Sequence, residues 1–503
     1  MKIKRLINKI AALAIVAGVA VISVPIPALA DELPYTTYNY NYWEDIVYTP
    51  SAYEPDKVVT GKSLTYEGEA IGDFVSPQDM CTSFDGKYIY LADTGNNRIV
   101  VLNSTMTAVV NIIDSFTNEG VEDSFNAPYG VAVSETNQLY IADSQNFRVV
   151  VLNEDGSLAR IVSNPQSEVL EPGFVFVPLK VTVDYADRVY VIAQNMFEGI
   201  MVFETDGQFA GFFGTINVKI SLWERFWRKI ASKEERAKSQ LFIPTEFTGI
   251  DIDPDGFVYA TNIDSDGKQG VRRLNPKGED VIKKGTNENL GGDLQTDGTT
   301  DYAGPSQFTD IVYRENGIYS CLDRRRGRIF TYDYEGNLLY IFGGLGTQTG
   351  TFSMPVAIER IGGDLAILDA NNASVTYFDE TEYGRLINQA VSLRYDGDEA
   401  KATELWQKVL ILDENNELAN TGIGKAYLTS GDYVQAMKYL KIGMARDYYS
   451  VAYKRYRNEQ LTKHANVYLT LIIVVVVGII VFDQLKKRGV IKSKSKKKQE
   501  EES

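Results

Sequence analysis

Phe125-Asn126-Ala127-Pro128 opens a phrase that continues with Gln138-Leu139-Tyr140-Ile141-Ala142-Asp143 and ends in Asn146-Phe147-Arg148-Val149-Val150-Val151-Leu152. The same phrase stands earlier as Phe74-Val75-Ser76-Pro77, then Lys87-Tyr88-Ile89-Tyr90-Leu91-Ala92-Asp93, then Asn96-Asn97-Arg98-Ile99-Val100-Val101-Leu102. Weaker copies begin at Phe176-Val177-Pro178, Phe242-Ile243-Pro244 and Phe308, and a sixth at Phe352-Ser353-Met354-Pro355. Each copy holds about four short β-branched runs separated by Gly, Asn or Asp turns, the pattern of one small antiparallel sheet. Sheets repeated around an axis protect their edges by radial packing. The repetition therefore predicts a mainly β chain with a six-bladed β-propeller over 59–383. Ser63 to Gly72 reads as the outer strand of a repeat without its inner three, so it is expected to pair with the last blade and close the ring.

The turn between the second and third runs reads Asp93-Thr94-Gly95-Asn96-Asn97-Arg98, then Asp143-Ser144-Gln145-Asn146-Phe147-Arg148. A third copy, Asp323-Arg324-Arg325-Arg326-Gly327-Arg328, keeps only the end residues. On these motifs residues 60–385 resemble an NHL-repeat propeller. The resemblance implies a fold more sharply than a function, because such propellers include binding platforms, sensor ectodomains and a few metal-dependent lyases or lactonases. Asp93 with Arg98, Asp143 with Arg148 and Asp323 with Arg328 are expected to be structural pairs that bridge the turn.

In a four-strand meander, the loop entering strand one and the loop joining strands two and three open on one face around the axis. Residues just after each Pro-like position should ring that mouth. Asp79, Tyr129, Lys180, Glu246 and Asp310 are the candidate ligand-binding set, since carboxylates, a Lys and a Tyr suit a cation or the hydroxyls of a sugar. No resident cofactor is expected, although the carboxylates leave room for a divalent cation on the axis.

Composition narrows the chemistry. The chain has 503 residues, 51 Lys+Arg against 67 Asp+Glu, a net charge of −16, two cysteines and one histidine. An acidic balance argues against a nucleic-acid partner. The lone His464 excludes any multi-histidine metal site within one chain, and it excludes Ser–His or Cys–His catalysis in the propeller. Cys81 and Cys321 fall on separate strands and read as buried free thiols. No catalytic residue and no metal ligand is assigned.

The ends are basic and apolar. Residues 1–30 read as a signal peptide: Lys2, Lys4, Arg5 and Lys9, then an apolar stretch, then Ala28-Leu29-Ala30. Residues 31–58 form a Tyr-rich strap, expected to lie along a groove. Residues 465–485 read as a transmembrane helix and 486–503 as a basic cytoplasmic tail, placing the body outside a cell membrane that the chain crosses once.

Residues 384–463 change to a helical period. Gly397-Asp398 and Gly431-Asp432 are about 34 residues apart, as are Ala402 and Ala436, which resembles tetratricopeptide repeats. That resemblance implies protein binding. A further insertion, 219–240, carries Trp223, Phe226, Trp227 and Ile230 on one helical face, a candidate surface for docking to a membrane or a partner.

The combined reading is a membrane-anchored, extracytoplasmic scaffold or sensor that binds a protein, with an integral-membrane complex as one candidate partner. Two alternatives stand beside it. One is a metal-dependent, lactonase-like hydrolase working at the axis. The other is an accessory subunit of an ABC-type carbohydrate transporter, to which the overall arrangement is similar. The histidine count leans away from an enzyme.

Overall fold

A computed structural model describes residues 33–165, 167–170, 173–214, 246–263, 270–285, 290–294, 303–488 and 490. The expected signal peptide, most of the basic tail and the whole 219–240 insertion, with Trp223, Phe226, Trp227 and Ile230, lie outside them.

Antiparallel sheets follow one another along the chain, each ordered as a simple meander. They cover 79–113, 128–162, 178–213, 247–274, 308–345 and 355–380. Their innermost strands touch in sequence around a closed ring, with Pro355–Ile361 of the last against Asp79–Thr82 of the first. Stacking face to face explains the composition of the middle strands. Both faces of Arg98–Asn103 are covered, and Ile99, Val100, Val101 and Leu102 are all buried. The same holds for Val149 to Leu152. Fully burying each such side chain stabilises the fold by about 1.5–3 kcal/mol relative to exposure.

Two expectations about the ring are corrected. Among the described residues, five sheets have the full four-strand blade, not six. The sheet at 247–274 has three strands among the described residues, and after Leu274 only an isolated bridge to Asp280 continues the pattern.

The closing strand is also not Ser63 to Gly72. Tyr53–Thr60 pairs antiparallel with Ser374–Glu380 and supplies the outer strand of the last blade. Pro55 sits at a shift in its register. An outer strand has one unpaired edge, where a missing N–H costs little. The segment expected to close the ring turns back on itself instead. Glu67 and Gly68 both take positive φ, at 51° and 89°, and the hairpin Thr65–Tyr66/Glu69–Ala70 forms around them.

The Tyr-rich strap forms a hairpin, Tyr38–Tyr40 with Ile46–Tyr48, that extends the outer edge of the 308–345 sheet at Ile341. Tyr38 Oη donates to Asp293 Oδ2 at 3.0 Å, and Tyr40 Oη donates to the other oxygen of the same carboxylate.

After Glu380 the chain becomes helical: α1 (Glu382–Tyr395), α2 (Glu399–Leu412), α3 (Glu417–Ser430), α4 (Tyr433–Ile442) and α5 (Arg446–Lys463). Thr381, Asp398, Asn416 and Asp432 each accept a backbone N–H at the start of a helix, which satisfies one orphan donor apiece. Each helix packs on the next. Gly422 of α3 lies against the Trp406 indole, where an added Cβ would meet Nε1 at 2.5 Å, so only glycine allows this approach.

The stack shares a core with the propeller. Tyr383, Leu386, Ile387 and Val391 pack into one cluster with Tyr53, Leu339, Tyr340 and Phe342. Last comes α6 (Ala465–Lys487), 23 residues with none buried. At 1.5 Å per residue it is about 35 Å long, against roughly 30 Å of hydrocarbon in a bilayer. By length and composition α6 can cross a membrane.

Candidate functional site

The first strand of each sheet contributes one residue to a common layer at the axis. Strand pairing places Asp79, Gly130, Lys180, Gly249, Asp310 and Ala357 at matching positions. Three of them carry charge and the other three are small. A Cβ on Gly249 would stand 2.5 Å from the Asp310 Cα, and one on Gly130 would stand 2.5 Å from the Leu179 carbonyl oxygen. These two glycines therefore let neighbouring strands approach closely.

Lys180 reaches across the layer. Its Nζ lies 2.5 Å from Asp79 Oδ1 and 3.4 Å from Asp310 Oδ2. All three residues are buried. The second Asp79 oxygen accepts from the Val131 N–H at 3.0 Å, and Asp310 Oδ2 also accepts from the Ile358 N–H at 3.0 Å. Three strands are thereby tied to two others through side chains.

Burial raises the carboxyl groups of Asp79 and Asp310 above the usual range, and Lys180 opposes the rise. Burial works against the Lys180 ammonium too, but the two carboxylates outweigh it and hold its proton more firmly than usual. An ammonium thus occupies the seat between the carboxylates where a bound cation would sit.

Tyr129 stands within electrostatic reach of Lys180 and Asp79 without bonding to either, and Glu246 does not join the cluster. Tyr129 is half-buried, and burial raises its phenol. Glu246 is half-buried just ahead of the strand Phe247–Ile252. Among the described residues neither makes a hydrogen bond or ion pair to Asp79, Lys180 or Asp310.

A second charged layer lies two residues further along the same strands and is absent from the sequence reading. Asp251 follows Gly249 by two positions and Glu359 follows Ala357 by two. Burial pushes Asp251 up to about 6. Burial, reinforced by the neighbouring Asp251 charge, pushes Glu359 up to about 8. Asp251 Oδ2 accepts from the Tyr313 N–H at 2.6 Å, and Glu359 Oε1 accepts from the Arg360 N–H at 2.8 Å. The signal for this layer was the two-residue strand period applied to the ring positions. Among the described residues, no three His, Cys, Asp or Glu side chains are grouped to hold a metal ion. Cys81 and Cys321 are buried and unpaired, and burial raises both thiols.

The turn motifs have clear geometry in two copies. Arg98 Nε lies 2.8 Å from Asp93 Oδ2, and the other Asp93 oxygen accepts from the Val75 N–H at 2.7 Å. Arg148 Nε lies 2.8 Å from Asp143 Oδ2, while its two terminal nitrogens grip Asp123 at 2.7 and 2.9 Å. Both aspartates are fully buried.

The third copy differs from the expected pair. Asp323 meets Arg326 at 3.5 Å, not Arg328. Arg328 instead donates to the Thr36 carbonyl at 3.0 Å and lies 4.7 Å above the Tyr38 ring, so it holds the strap. The intervening arginines, where the other copies have Thr-Gly-Asn and Ser-Gln-Asn, supply a competing partner for the aspartate.

A cleft of about 740 Å³ opens between the strap hairpin, the Glu335 turn of the 308–345 sheet and helices α3 and α5. Its wall is tied by Lys425 Nζ to Glu335 Oε2 at 2.6 Å. The Tyr42 N–H donates to Glu417 Oε2 at 2.9 Å, and Arg446 donates to the Tyr42 hydroxyl at 3.0 Å. Strap and blade turn thus lie against the helical stack.

The NHL repeat family model matches residues 125–152, the stretch with the clearest Asp-to-Arg turn. No curated protein matches the chain in sequence. Among solved structures, a streptogramin B lyase is 11% identical, covering 66% of this chain and all of that one, with a TM-score of 0.39. Hydrazine synthase of Kuenenia stuttgartiensis is 11% identical over 62% of this chain and 97% of that one, with a TM-score of 0.37. A Bacteroides thetaiotaomicron protein of unknown function is 14% identical over 64% of this chain and 75% of that one, with a TM-score of 0.41.

Proposed function

We propose that this protein is a membrane-anchored scaffold whose propeller, on the extracytoplasmic side, holds a protein partner close to the bilayer. The observation that carries the reading is the continuous helical path from a stack packed on the propeller into α6. The helical stack and the blades share one core, the Lys425–Glu335 pair pins α3 to a blade turn, and the stack runs on through α5 into α6. A propeller that only needed to be tethered would require no such bracing. The bracing fixes the helical stack against the blades up to the start of α5.

The axis supports the same reading. Lys180 bridges Asp79 and Asp310 within the ring, and in this proposal that cross-link is structural. The strap and the Glu335 turn lie against α3, so the tetratricopeptide-like helices act in this proposal as a brace. The blade surfaces are then the partner-binding element.

The test is membrane fractionation followed by affinity capture of the full chain in mild detergent, with mass spectrometry of what is retained. The expected result is a chain that resists alkaline extraction, is open to protease from outside, and retains a defined protein partner. A chain released by alkaline carbonate, or one that retains nothing, contradicts the proposal.

A further inference from the structure

The cleft between strap and helices has features that bracing alone does not require. We propose that it binds a short, uncharged oligosaccharide. Its volume, about 740 Å³, lies within the usual range of small-molecule sites, and it sits between two packed units, a common place for them. Four cationic and four acidic side chains line it, so its lining carries no net charge to select an ion. It offers donors and acceptors together, which suits a ligand rich in hydroxyl groups.

Two of those groups have no protein partner among the described residues and are open to a ligand. Asn415 and Lys284 line the cleft, stand exposed and make no hydrogen bond or ion pair there. Next to Tyr42, which lines the cleft, Trp43 is 68% exposed and meets the Tyr42 ring edge-on at 5.0 Å. An indole left open beside a polar cleft is suited to stack on the C–H face of a pyranose ring while the amides and Lys284 take its hydroxyls. The floor beneath is preorganised by Lys425, Glu335 and Tyr448, whose ring lies 4.1 Å from the Lys425 ammonium, so binding need not order it.

This inference is independent of the membrane scaffold reading. The test is isothermal titration of the full chain, in a detergent without a sugar headgroup, with maltotriose, cellotriose and the N-acetylglucosamine trimer. The expected result is saturable binding of at least one trisaccharide, weakened tenfold or more by Trp43→Ala and by Asn415→Ala, and unchanged by Phe147→Ala on the propeller. Trp43 and Asn415 are exposed, so neither change threatens folding. No saturable binding by any of the three, or binding that survives both substitutions, overturns the proposal.

Discussion

Replacing Lys180 with Met keeps most of the unbranched stem and removes the ammonium that bridges Asp79 and Asp310. Removing one partner of a buried ion pair costs about 3–5 kcal/mol, because the remaining charge is left uncompensated. Here two carboxyls remain in one buried layer, and at least one must take up a proton. The loss therefore depends on pH. Burial already holds both folded-state carboxyls above their unfolded value, and without Lys180 they rise further. Between the unfolded value near 4 and the raised folded value, the native state binds more protons than the unfolded chain, so stability falls as pH increases.

Lys180→Met should therefore lose most stability at pH 8 and least near pH 4.5. A propeller of roughly 330 residues unfolds with an entropy of about 0.7 kcal/mol/K, so the loss at pH 8 corresponds to a Tm lower by about 4–7 °C. Thermal unfolding of the full chain at the two pH values, followed by circular dichroism near 215 nm, reads this directly. The triple variant with Asp79→Asn and Asp310→Asn should recover much of the loss. A Lys180→Met chain as stable as the parent at pH 8, or equally destabilised at both pH values, would refute the view of the axis as an internal ion cluster.

Three further outcomes follow from neighbouring features. Arg148→Ala should lower the Tm more than Arg98→Ala, because Arg148 loses Asp143 and a two-pronged grip on Asp123 while Arg98 loses Asp93 and one carbonyl; a loss of about 2 kcal/mol for Arg98, with Arg148 larger, is the expected order in urea titrations. Glu359→Gln should stabilise the chain at pH 8 and change little near pH 4.5, since the parent's folded-state carboxyl titrates near 8 and its charging costs stability between those limits. Because Glu359 is half-buried, the expected stabilisation is ~1–2 kcal/mol, read from urea midpoints across pH. Phe147 holds φ at 55°, a left-handed position that Asn97 fills in the preceding repeat, so Phe147→Asn should raise stability by about 0.5–1 kcal/mol in thermal unfolding.

Much of the ring was legible because its signal is repetitive. The Pro-like entry and the alternating runs locate Asp79, Lys180 and Asp310 on one layer without any structure. Their joining into a single ion cluster depended on what stands at the other positions. Two glycines and an alanine put no competing side chain in the way of Lys180. The Asp251 and Glu359 layer obeys the same period but lies two residues beyond the first, where the entry motif no longer marks the position.

The closing strand was hidden for a different reason. Glu54, Pro55, Asp56 and Lys57 look unlike a strand, yet charge and proline are what an outer edge tolerates. The three-stranded sheet at 247–274 was overcounted because its first strands keep the pattern while the chain after Leu274 does not. Arg328 illustrates the limit of a motif: its position in the turn is kept, but Arg326 takes its partner, and Arg328 is left to hold a strap whose Tyr residues gave no period to follow.

The central claim is that a braced propeller presents its blades to a protein partner at the membrane. Chemical cross-linking of the full chain in intact cells, followed by mass spectrometry, tests it most directly. The account predicts cross-links from lysines on the blades, such as Lys87, to one recurring membrane-associated protein, together with recovery of the chain in the membrane fraction. Cross-links confined to the chain itself, with the protein recovered in the soluble fraction, would contradict it.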